Sequence, residues 1–215
     1  MTEPTGSPAE ATLTTTAARG YGAEAIATPG LPPHVAVLAP PFLVSASLLV
    51  ASGASKLRNP EPGSRALGAA NLPHRWMFVR AFGAVEIAAG ISAAVWPRPL
   101  TAGAVAVLYV AFALYLIGRL RSNEPKASCG CFGAAEVPPH PFHVALDLMA
   151  AGVAVAAGVR PLPALPRLLS SLGWEAVPFV LGCSAAAVFA ALAVRYVPAL
   201  FTSYVRPHDA HRETA

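Results

Sequence analysis

The sequence is short of charge. Its 215 residues include 15 Lys and Arg and 11 Asp and Glu, a charged share of 12%. A soluble domain usually carries about 25%, so a chain this poor in charge could not cover a folded surface without exposing large apolar patches. Cysteine is also scarce. Three residues are too few for a disulfide framework, which excludes a stapled secreted mini-protein. Phosphate loops, dinucleotide fingerprints, zinc-ligand spacings and the hydrolase nucleophile elbow are all missing. Lipidation boxes are missing as well, and residues 1–33 lack the basic start and compact apolar core of a secretory signal. The sequence pI of about 9.3 raises the question of nucleic acid. However, the basic residues stand at the ends of apolar runs, where membrane proteins keep them, so no nucleic-acid partner is expected.

What the chain has is apolar length. Hydrophobic residues make up 55% and the mean hydropathy is +0.54. A membrane-crossing helix needs roughly 20 apolar residues. Runs of that kind fall at about 38–57, 76–96, 100–120, 141–159 and 176–198. They are continuous, whereas the strands of a membrane barrel would alternate every second residue. The expected fold is therefore all-α: an integral membrane helical bundle with a four-helix core (34–160) and a fifth C-terminal transmembrane helix. A Pro-rich connector from 161 precedes the fifth helix, a disordered tail occupies 1–33, and a polar tail occupies 201–215. Pro40 and Pro41 are expected in the first turn of helix one, where a missing N–H costs little. Trp76 and Trp96 bracket the second run and suit the two interfacial belts. Gly83, Ala84, Gly90, Ala93 and Ala94 would let helix backbones approach closely.

Counting Lys and Arg in the loops gives an orientation. One side has Arg19, Arg98, Arg160 and Arg167. The other has Lys56, Arg58, Arg65, Arg75, Arg119, Arg121, Lys126, Arg195, Arg206 and Arg212. The positive-inside bias makes the richer side cytoplasmic, and that side includes the loop after the third helix.

That loop holds the sharpest motif, Ser128-Cys129-Gly130-Cys131-Phe132-Gly133. Two thiols separated by one residue can close a disulfide only through a sharp turn, which the glycines permit. Such a ring is expected to be strained and easily reduced, like labile and catalytic disulfides. The pair therefore suits dithiol exchange. The competing readings are soft-metal capture of Cu(I) or Hg(II), since thiolates bind soft ions, and a non-catalytic membrane assembly factor.

Ionisable groups inside a span cost about 2.5–3.5 kcal/mol each and usually face a bundle interior. Lys56 closes helix one, Arg80 lies about one turn into helix two, and Glu86 is near mid-membrane. All three are candidate bundle-interior groups, and Glu86 can pair with Arg80 or Lys56. His143 and Asp147 are four apart on helix four, hence on one face. There Asp147 can hold the His143 ring, and the pair can manage a thiol proton. Ser45, Ser52 and Ser55 read as packing contacts, and Cys183 as a small packing residue. No resident metal is expected. No cofactor is firmly implied, with a quinone near Glu86 as the one candidate.

The ordered set Ser52-Gly53-x-x-Lys56-Leu57-Arg58-x-Pro60, then Glu86, then Cys129-Gly130-Cys131-Phe132-Gly133 resembles the MauE family, relatives of the DoxX-like membrane proteins, over about residues 38–160. The resemblance implies a four-helix protein of the cytoplasmic membrane, associated with thiol–disulfide chemistry and thioredoxin-like partners. The family's namesake matures the disulfide-rich small subunit of methylamine dehydrogenase. Carried over, Cys129 and Cys131 would be the redox pair of a membrane thiol–disulfide oxidoreductase or electron relay. The fifth helix and the N-terminal tail lie outside the resemblance, and nothing in the chain points to methylamine itself.

Overall fold

A computed structural model describes residues 31–68, 75–121 and 140–210. Among the described residues seven α-helices follow in order: α1 (Pro33–Arg58), α2 (Glu61–Gly68), α3 (Trp76–Val95), α4 (Pro99–Arg121), α5 (Pro141–Val159), α6 (Leu165–Leu172) and α7 (Ala176–Ala210). No strand occurs among the described residues. Five segments are long and apolar enough to cross a membrane: α1, α3, α4, α5, and Leu165–Val197, which takes in α6 and most of α7. The protein is an all-α, multi-pass membrane bundle.

Helix α1 starts earlier than expected. Pro32 is extended (φ −57°, ψ 140°) and Pro33 opens the helix, in a first turn that has no partner for an N–H in any case. The N–H groups of Val35 and Ala36 then close on the Pro32 carbonyl, at 2.9 and 3.3 Å. Pro40 and Pro41 thus lie inside the helix, not in its first turn. Membrane helices tolerate interior prolines where side chains and neighbouring helices satisfy nearby backbone groups. The carbonyls left without an N–H donor here are those of Ala36 and Val37; one turn farther on, Ser45 Oγ donates to the Pro41 carbonyl at 2.8 Å.

The core is a ring in which α1 packs on α3, α3 on α4, α4 on α5, and α5 on α1. The α1–α3 seam is made by glycine. A Cβ placed on Gly53 would collide with the Gly83 carbonyl, and one on Gly83 would come within 2.8 Å of the Gly53 carbonyl. Farther along, a Cβ on Gly90 would lie 2.7 Å from the Ala46 carbonyl. Alanines line the α4–α5 seam: Ala102 and Ala106 on one helix, Ala151, Ala154 and Ala157 on the other are all buried. Phe42, Leu49, Val105 and Leu116 fill the interior. Leu100, Val107, Leu114, Val155 and Phe189 point outward, as lipid-facing residues should.

Two short helices were not expected. α2 begins Glu61-Pro62 and carries Arg65 in its last turn, matching the helix dipole at both ends. Its Ala66 carbonyl accepts a hydrogen bond from Tyr115 Oη at 2.9 Å, which ties it to α4. α6 occupies the Pro-rich connector, buries Leu168 and Leu172 and leaves Arg167 outside. α7 packs on α1 and α5 and continues to Ala210, where a helix end near 198 and a polar tail were expected. The packing of α3 and α4 also puts Trp76 at one end of the bundle and Trp96 at the other, both exposed.

Candidate functional site

Because successive spans alternate in direction, one end of the bundle collects the C-terminus of α1, the N-terminus of α3, the C-terminus of α4 and the N-terminus of α5. Between that end and the middle of the bundle is a buried ion pair. Lys56 Nζ lies 2.7 Å from Glu86 Oε1 and 2.9 Å from Oε2, and donates to Ser52 Oγ at 2.7 Å. The three contacts match the three protons of an ammonium group. Glu86 is fully buried and Lys56 is 7% exposed. The pair exists because Gly53 and Gly83 bring α1 and α3 together: Lys56 and Glu86 each stand three residues beyond one of those glycines. The ammonium also lies 5.7 Å from the Phe82 ring centroid and 5.3 Å from that of Phe112, within cation–π range. Removing one partner would strand a buried charge, at a cost of about 3–5 kcal/mol.

Two cavities flank this group, with Phe112 in the wall of both. One, of about 330 Å³ between α2, α3 and α4, is lined by Lys56 and by aromatic side chains including Phe78, Phe82 and Tyr115. The other, of about 460 Å³ between α1, α4, α5 and α7, is lined by Ser45, Ser52, Tyr109, Asp147 and Cys183 among mostly apolar residues. Tyr109 Oη donates to the Ser45 carbonyl at 2.7 Å and closes one side of it.

A model of the family described as methylamine utilisation protein MauE matches residues 33–160. The chain belongs to the MauE family. The matched segment holds α1 to α5, so the ion pair and its glycines are part of the MauE unit and α7 lies outside it. No curated protein and no solved structure matches the chain.

The structure sorts the expected site residues. Lys56 and Glu86 come together. Arg80 does not join them: it is exposed, with its guanidinium 5.0 Å from the Trp76 ring centroid on its own helix. Arg80 is six residues before Glu86, more than a turn and a half away, so it faces outward when Glu86 faces in. Arg80, expected among the bundle-interior groups, is not one of them. His143 is buried, at 4% exposure, and Asp147 is half-buried on a cavity wall. The ring of His143 is held otherwise than expected. Its Nε2 lies 2.9 Å from the Val194 carbonyl of α7, while Nδ1 has no hydrogen-bond partner among the described residues. The carbonyl can only accept, so Nε2 carries the proton. Cys129 and Cys131 lie outside the described residues, in the segment that joins α4 to α5. Cys183 is a free thiol, half-buried beside the larger cavity.

Ser52, expected as a packing contact, is a polar partner of Lys56, and the Val194 carbonyl was missed; both have a signal in the sequence. Ser52 stands four residues before Lys56, one helical turn away. The Val194 carbonyl would normally receive the N–H of residue 198, but residue 198 is proline and has none. His143 takes its place.

Proposed function

We propose that this MauE-family protein is a membrane thiol–disulfide exchange protein of the cytoplasmic membrane, with Cys129 and Cys131 as its redox pair and a thioredoxin-like protein as partner. What supports the reading is the Cys-Gly-Cys-Phe-Gly motif in the segment between α4 and α5 of a MauE-family bundle. In the exchange, one thiolate of the pair attacks a partner disulfide. A mixed disulfide forms and the partner's leaving sulfur takes up a proton. The second thiol then loses its proton and attacks the mixed disulfide. The chain ends as the Cys129–Cys131 disulfide and the partner as a dithiol, with two electrons transferred. The reverse sequence oxidises a partner.

His143 enters α5 twelve residues after Cys131 and offers a buried Nδ1 lone pair. In this reading it holds or returns the thiol proton, and Asp147, one turn deeper, sets the local charge. A membrane quinone, which exchanges two electrons and two protons, is the class of second redox partner that suits the aromatic-walled cavity beside Lys56. A role like that of the family's namesake, maturing a disulfide-rich subunit, is one use of this exchange.

Replacing each of Cys129 and Cys131 by Ser, singly, and trapping partner thiols in acid tests the reading. One single variant should accumulate the mixed disulfide and both should stop partner turnover. Unchanged partner redox state in both variants would refute it.

A further inference from the structure

At the opposite end of the bundle, a groove of about 420 Å³ opens between the α3–α4 turn and the segment joining α5 to α6. Its walls are stiff. Pro97, Pro99, Pro161 and Pro163 line it, each with a φ fixed by its ring. Thr101 Oγ1 braces the turn, accepting from the Arg98 N–H at 2.9 Å and lying 2.9 Å from the Trp96 carbonyl it donates to.

Arg98 and Arg167 line this groove from its two sides, and no acidic residue lines it. Neither guanidinium has an ion pair or hydrogen bond among the described residues. Both are exposed. The groove begins where α3 ends at Trp96, whose exposed ring marks interfacial depth. The N-terminus of α4, at Pro99, adds the positive end of a helix dipole.

We infer that this groove binds the phosphate headgroup of an anionic phospholipid. Two planar forks suit the oxygens of one phosphate. Basic pockets between membrane helices bind anionic headgroups on the cytoplasmic or matrix side of other bundles, and the same chemistry applies at this end. A lipid fits better than a free anion because the groove continues onto apolar surface: Leu100 and Val159, beside it, are 83% and 75% exposed and offer a ledge for acyl chains. The site is separate from the ion pair and from the thiol segment, so it does not depend on the exchange reading.

Brominated lipids test it. In a W76F/W174F background Trp96 is the sole tryptophan, and the full chain is reconstituted in phosphatidylcholine containing a minor fraction of brominated phosphatidylglycerol. Quenching of Trp96 should exceed that from the same fraction of brominated phosphatidylcholine by about 25-fold in effective local concentration, two contributions of about fivefold from two basic groups near a charged headgroup. R98Q or R167Q should each remove about fivefold, and the double variant should quench as bulk lipid does. Equal quenching by the two lipids overturns the inference. So does loss of the excess on adding inorganic phosphate, which would make the site one for a free anion. Native mass spectrometry of retained phosphatidylglycerol, wild type against R98Q/R167Q without the tryptophan changes, gives a second reading with the same two outcomes.

Discussion

At the scale of single residues, His143 and residue 198 form a relay of obligations. Proline at 198 leaves the Val194 carbonyl without its usual donor, and His143 Nε2–H fills the vacancy at 2.9 Å. Leaving a buried acceptor unsatisfied costs about 1–3 kcal/mol. H143L should therefore lower stability by about that amount, measured as thermal unfolding of the detergent-solubilised chain. P198A supplies an N–H to the same carbonyl, so in the P198A background H143L should cost much less. An equal cost in both backgrounds would show that the carbonyl is not what His143 serves. The coupling was visible in the sequence only in half: the proline announces an orphan carbonyl, but nothing in a linear chain says which distant side chain answers it. The same limit applies to Glu86. Its depth was legible from its position in an apolar run. Its partner was one of two, and the close approach of α1 to α3 at Gly53 and Gly83 decides for Lys56.

At the scale of helices, glycine decides which faces meet. Gly53, Gly83 and Gly90 hold α1 against α3 so closely that a methyl group has no room on any of them. Gly103, on the outer side of α4, has nothing within 4 Å of its Cβ position. G53A and G83A should each destabilise the bundle by about 1–3 kcal/mol through overpacking. G103A should be neutral or stabilise by up to about 1 kcal/mol, because alanine loses less backbone entropy in a helix. Thermal unfolding in one detergent compares all three. If G83A is as silent as G103A, the seam is looser than described. Span number and approximate ends were readable from hydropathy. The start of α1 was not, because prolines at 32, 33, 40 and 41 offer two defensible first turns, and only the extended Pro32 selects the earlier. The short α2 and α6 were unreadable for a different reason: eight-residue helices are marginal alone, and packing against neighbours makes them.

At the scale of the whole molecule, the distribution of Lys and Arg predicts that the α4–α5 segment faces the cytoplasm. In a C183A background, a membrane-impermeant maleimide should leave Cys129 and Cys131 unlabelled in intact cells and label them after lysis. Thiols in that compartment rest reduced, so the pair would work from its dithiol form. Labelling in intact cells would reverse the orientation, and labelling there only after a membrane-impermeant reductant would in addition make the disulfide the resting form. Fold class and family were legible throughout, because five apolar runs and three short motifs survive without tertiary information. The candidate site was legible in its members more than in its connections.

The length of α7 has a further consequence. The helix passes His143 at Val194 and continues as helix to Ala210. At about 1.5 Å per residue, the sixteen residues from Arg195 to Ala210 make an arm of roughly 24 Å, at the end of the bundle where α4 stops and α5 starts. In the proposed exchange, a soluble partner that docks at this end of the bundle would share its approach with this helical arm.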